Sequence, residues 1–159
     1  MQKISPFSIP LILQCLLLII PINLYVIGNW LATGIQWALF RYQQSYLGNS
    51  LILFYKDINY IASGAITGRS IFAGGFNVAA SSLLLLALCI FVYGYLTESI
   101  AYFKTAAIIT ISGGCLFLIS DIIQYGILFH GPDGFAIPLG VPAILLTGWW
   151  TYRREFPDT

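Results

Sequence analysis

The seven basic residues of this 159-residue chain, Lys3, Arg41, Lys56, Arg69, Lys104, Arg153 and Arg154, are spaced so widely that they leave long stretches with almost no charge. A helix needs about 20 mostly apolar residues to cross the roughly 30 Å hydrocarbon core of a bilayer. Four stretches come to about that length or more: 4–40, 70–97, 105–129 and 134–152. Composition points the same way, with 58% hydrophobic and 8% charged residues, where soluble domains carry about 25% charged; the mean hydropathy is +0.85. These features predict an all-α integral membrane protein. The expected architecture is a single membrane domain over 1–159, built as a four-transmembrane-helix bundle with spans at about 8–30, 71–96, 105–129 and 135–152. An extramembrane segment at about 41–70, after helix 1, carries a small β-hairpin or an interfacial helix.

The first uncharged stretch holds 37 residues, which as one helix would extend about 55 Å at 1.5 Å per residue. It must therefore break or project, with Pro21 and Gly28-Asn29 as break points and an amphipathic extension through Trp37. It is also too long for the apolar region of a cleaved leader, about 7–15 residues. The chain's last turn reads GWWTYRREF, an aromatic belt of Trp149, Trp150 and Tyr152 followed by two arginines. Positive segments beside a span tend to stay in the cytoplasm, so both termini are expected there and 41–70 outside, in a cell-membrane protein.

Within the outer segment, Ser50–Tyr55 and Asn59–Thr67 are rich in Tyr, Ile and Phe, are bordered by glycines and are separated by Lys56-Asp57. That pattern suits a short hairpin. Leu51, Phe54, Tyr55 and Ile58 also fall at helical spacing, which suits an interfacial helix. Four helices with a β-containing segment after the first resemble the general layout of the claudin group. That group's tryptophan and paired-cysteine signature is missing, because Cys15, Cys89 and Cys115 all lie in the expected spans; membership is not implied.

Few reactive side chains are available. His130 is the only histidine, so one chain cannot supply two axial histidines to a haem or a multi-histidine metal site. The cysteines form no C-x-x-C and read as small buried hydrophobes. Ser112 and His130 on one helix would stand about 27 Å apart, beyond hydrogen-bond reach, and Asp121 lacks the second spanning carboxylate of an aspartyl dyad. No catalytic residue, metal ligand or cofactor is expected, and the chain is not expected to be an enzyme. With a net charge of +1, no field invites nucleic acid.

Asp121 is the anomaly. It sits in an otherwise apolar run, where carboxylates face a bundle interior, a wet cavity or a partner. Gly114, Phe117, Gln124, Tyr125 and Leu128 share its helix face, and small and polar residues mark helix contacts. Asn77 and Arg69 reach a similar depth from the second helix and are the expected partners of Asp121, with Arg41 as a further candidate. The candidate binding residues are therefore Asp121, Gln124, Tyr125, Asn77 and Arg69, all in the outer half. His130 belongs to a turn, FHGPDG. The expected function is non-enzymatic: binding a protein partner, or self-associating, through the outer loop and polar outer core. The expected partners are the lipid bilayer and a homo-oligomer or larger membrane complex. The alternative is a small oligomeric transporter or channel with Asp121 as the proton or cation group.

Overall fold

The computed structural model describes residues 7–28 and 30–154; Lys3, Asn29 and the residues after Arg154 lie outside that range. Helix α1 covers Ser8–Ile19. Pro10 is tolerated in its first turn, where backbone N–H groups have no helical partner. Pro21 ends it: the residue before a proline is driven out of the helical region, and Ile20 is extended with ψ 132. The next residues, NLYVI, end in aromatic Tyr25 and β-branched Val26 and Ile27 and form strand β1 (Asn23–Ile27) instead of continuing a helix. Strands β2 (Ala32–Gln36), β3 (Phe40–Ser45) and β4 (Gly48–Leu53) continue as a meander and lead into a short helix α2 (Phe54–Ala62).

Two long helices, α3 (Arg69–Thr97) and α4 (Ile100–Tyr125), form an antiparallel hairpin. The turn between them is made by Glu98 in the left-handed region, and α4 stops at Gly126, whose φ is 89. Strands β5 (His130–Gly131) and β6 (Gly134–Ile137) pair as a hairpin before the last helix, α5 (Gly140–Arg153). β6 docks on β1, giving a six-stranded antiparallel sheet in the order β4-β3-β2-β1-β6-β5. Gly134 is required at that junction. Its φ is 125, and a side-chain carbon there would collide with the carbonyl of Val26.

The expected all-α four-helix membrane bundle is thus corrected to an α+β fold. Among the described residues only α3 and α4 are long and apolar enough to cross a membrane. The stretch read as a first span over 8–30 is a 12-residue helix and a strand, its projecting extension is β2, and the start of the span read at 135–152 is β6. The outer hairpin is β3–β4 rather than 50–55 with 59–67, and the helical alternative holds for 54–62 alone.

The core lies where sheet and helices meet. Leu17 of α1, Ile22, Ala38, Ala80 and Leu84 of α3, Phe117 of α4, and Val141 and Ile144 of α5 form one buried cluster. Ala38 lies in the β2–β3 connection, so that connection is driven into the helices like a wedge. Glycines set the helix spacing: Gly114 abuts Ile144 and Leu145, and Gly148 abuts Ile111 and Ala107. Gln14 on α1 ties three helices together, donating to Leu84 O on α3 at 3.1 Å and accepting from Thr110 Oγ1 on α4 at 3.1 Å. A second cluster of Phe7, Phe91, Phe103 and Ala106 closes the opposite end of the hairpin. The cysteines read as buried are all exposed on helix faces.

Candidate functional site

Side chains alternate across a strand, and the strand register therefore sorts the sheet into two unlike faces. Asn23 of β1 lies opposite Gln36 of β2, and Gln36 opposite Arg41 of β3. One residue along, Ile137, Leu24, Ile35, Tyr42 and Leu51 lie opposite one another in turn across β6, β1, β2, β3 and β4. The first row is polar and looks toward α2, α3 and α4. The second is apolar and looks away.

The polar face roofs a cavity of about 140 Å³. Its walls come from Asn23, Tyr25, Gln36 and Arg41 of the sheet, Asp57 and Ile61 of α2, Ser70, Ala73 and Asn77 of α3, and Ser120, Asp121, Gln124 and Tyr125 of α4. Tyr25 fits because its cross-strand neighbour is Gly34; a side-chain carbon at 34 would overlap the tyrosine ring. Asp121 stands in the last turn of α4 and is 2% exposed, as is Asn23. The Asn23 amide donates to Asp121 Oδ1 at 2.7 Å. This is the partner that sequence reasoning placed on Asn77 or Arg69, and it comes from a segment read as helix.

The other wall contacts are as specific. Ser120 Oγ donates to Ala73 O at 2.9 Å, joining α4 to α3. Arg41 pairs with Asp57 at 2.7 Å, fastening α2 to the sheet. Burial raises the Asp57 carboxyl pKa, and the Arg41 guanidinium pulls it back down. Burial likewise raises that of the Tyr25 phenol, again opposed by Arg41. Four buried polar atoms in the wall have no hydrogen-bond partner among the described residues: Asn23 Oδ1, Asn77 Oδ1, Asp121 Oδ2 and Arg41 Nε. Three of them are acceptors on a carboxylate and two amides.

Of the five residues singled out from sequence, Asp121, Gln124, Tyr125 and Asn77 share this cavity. Arg69 does not; it is exposed at the start of α3 and lines a wider neighbouring cleft with Gln124 and Asp133. Asn23, Gln36, Tyr25 and the Arg41–Asp57 pair were missed as site residues. The signal that could have found the sheet residues is the two-residue alternation of Asn23, Tyr25 and Ile27 against Leu24 and Val26 just after Pro21.

On the outer face, Leu24, Val26, Ile35, Tyr42, Phe135 and Ile137 line a shallow concavity, with Trp30 packed edge-on against Phe135 at 6.2 Å. Tyr42, Leu51 and Ile137 are 39%, 54% and 46% exposed, so this row is uncovered in the monomer. No protein-family model matches the chain, and no curated protein matches it.

Proposed function

We propose that the protein is a non-enzymatic membrane protein that self-associates through the outer face of its sheet, with α3 and α4 crossing the bilayer and α1 and α5 packed beside them. The observation that carries the reading is the apolar row Ile137–Leu24–Ile35–Tyr42–Leu51. An antiparallel sheet with one solvated face ordinarily turns its polar side outward; here the polar side covers a cavity and the apolar side is bare. Contiguous exposed apolar surface of this kind marks an interaction site.

A second copy of the chain is the favoured occupant. In β1–β4 and β6 the residues that share the outer face, from Leu24 and Val26 through Thr33, Ile35, Phe40, Tyr42, Gln44, Asn49, Leu51 and Leu53 to Phe135 and Ile137, include no charge, and the edge strand β5 adds only His130, stacked on Phe135. Two such faces can close on each other about a two-fold axis without burying an unpaired ion. Stacked sheets meet about 10 Å apart.

Support for the bilayer comes from the hairpin. Only 28% of the most apolar window of α3 and 44% of that of α4 is buried, whereas a core helix of a soluble protein is mostly covered. Hydroxyls on exposed positions of these helices, Ser82, Thr97, Thr105 and Ser112, each donate to the carbonyl four residues back. Hydrocarbon, unlike water, offers no other partner.

The test is native mass spectrometry from mild detergent, comparing wild type with Tyr42→Asp and Leu51→Asp. Both positions are exposed, so the sheet should survive, as circular dichroism can confirm. The wild type is expected as a dimer and each variant as a monomer. A monomeric wild type, or variants with unchanged mass, would contradict the proposal; a sheet face resting on lipid would give the first of these results.

A further inference from the structure

We propose that the cavity between the inner face of the sheet and the sheet-side ends of α3 and α4 binds a primary ammonium group, with Asp121 as its counter-ion. The cavity is on the opposite side of the sheet from the self-association face, and the two proposals stand or fall separately.

Charge comes first. The wall contains three charged residues, Arg41, Asp57 and Asp121. Arg41 and Asp57 satisfy each other at 2.7 Å, which leaves Asp121 as the one carboxyl of the wall with no cation beside it. A buried carboxylate without a cation is costly, and a ligand that brings the cation relieves it.

Hydrogen bonding then narrows the class of cation. Asp121 has one oxygen engaged by the Asn23 amide and the other unpartnered, and the carbonyl oxygens of Asn23 and Asn77 are unpartnered as well. Among the buried, unpartnered side-chain atoms of the wall, three are therefore acceptors and one, Arg41 Nε, is a donor. A primary ammonium offers three N–H donors and no acceptor, so it matches these acceptors in both charge and number. A quaternary ammonium has the charge and none of the donors. Tyr25 and Tyr125 supply aromatic surface, which favours a cation over a neutral amine, and Ile61 and Ile66 accommodate a short carbon chain.

The volume of about 140 Å³ suits a small group rather than a whole lipid or peptide. Ile27, Ser70 and Gln124 are shared with the wider cleft that Arg69 lines. A molecule anchored by its ammonium therefore has room to extend toward Arg69, which could meet an attached phosphate. The same chemistry is offered by a free amine or by the headgroup of an aminophospholipid.

The experiment is calorimetric titration of the purified protein in nanodiscs made only of phosphatidylcholine, with ethanolamine as probe and choline as control. Ethanolamine is expected to bind at least tenfold more tightly than choline. Asp121→Asn and Asn77→Ala should each weaken ethanolamine at least tenfold; the second variant, at a half-buried position, guards against a folding defect in the first. Repeating the titration in discs containing phosphatidylethanolamine separates the sources. A tenfold loss of apparent affinity there assigns the site to the lipid headgroup, and an unchanged affinity assigns it to a free amine. Equal binding of the two amines, no binding of ethanolamine, or unchanged affinity in both variants would overturn the proposal. A monomeric protein that still separates the two amines would keep this inference and remove the self-association.

Discussion

Asp121 and Gly134 show how single residues hold the sheet to the helices. The Asn23–Asp121 bond joins β1 to α4 inside the protein, and removing the carboxylate strands a buried amide, at a cost of about 1–3 kcal/mol. Asp121→Leu is therefore expected to lose about that much stability in detergent-phase unfolding, while Asp121→Asn, which can still accept from Asn23, keeps most of it. A leucine variant as stable as wild type would remove the structural role of the pair. Gly134→Ala combines a left-handed backbone with a collision against Val26 O; it should destabilise by more than about 1 kcal/mol and release the β5–β6 hairpin, raising amide exchange at 134–137. That Asp121 is buried was legible from Gly114 and Gln124 on its helix face. Its partner was not, because the identity of Asn23 as a strand residue depends on Pro21 ending the preceding helix, and a proline break is as compatible with a second helix as with a strand.

The elements separate by how much their formation depends on distant pairing. Helix α3 was readable to within two residues, as a long apolar run between Arg69 and Glu98, whereas α4 was read about five residues late because Lys104, taken as its boundary, lies inside it. The strands were not readable. Stretch 4–40 has no charge to mark its interruption; β1, with Leu24, Val26 and Ile27, passes as a continuing span, and β2, ATGIQ, passes as an uncharged extension of it. In β6 the residues FAI acquire strand geometry only by pairing with β1, more than 100 positions away. Helix α2 lies between these cases: its periodicity is local, but its position depends on Arg41. That ion pair is about a quarter exposed on each side, and such pairs contribute less than about 1 kcal/mol. Asp57→Ala should accordingly leave global stability almost unchanged while amide exchange across 54–62 accelerates. Loss of the whole fold, or unaltered exchange in α2, would show that α2 is held by something else.

The whole molecule is polarised. The Phe7 ring stands 5.2 Å from that of Phe103, placing the start of α1 beside the start of α4, at the hairpin's Glu98 turn; the sheet, α2 and the cavity gather at the other end. If α3 and α4 span the bilayer, Ser45 and Lys104 lie on opposite sides of it, and taking the Glu98 turn with Lys104 as the cytoplasmic end puts Ser45 outside. Single cysteines at the two positions, in a background lacking Cys15, Cys89 and Cys115, should react with an impermeant reagent on intact cells at Ser45 and not at Lys104. Labelling of both would place the hairpin outside the bilayer, and labelling of Lys104 alone would invert the orientation. The same polarity leaves the apolar sheet face as the surface on which two copies can meet, and one measurement addresses that meeting most directly. With a spin label at Thr33, on the outer face of β2, pulsed dipolar spectroscopy in nanodiscs should record an inter-protomer distance below about 30 Å, as expected for two sheets stacked about 10 Å apart with a label on each. The absence of dipolar coupling at Thr33, together with coupling from a label at Leu86 on the exposed side of α3, would contradict it and move the contact between copies to the helices.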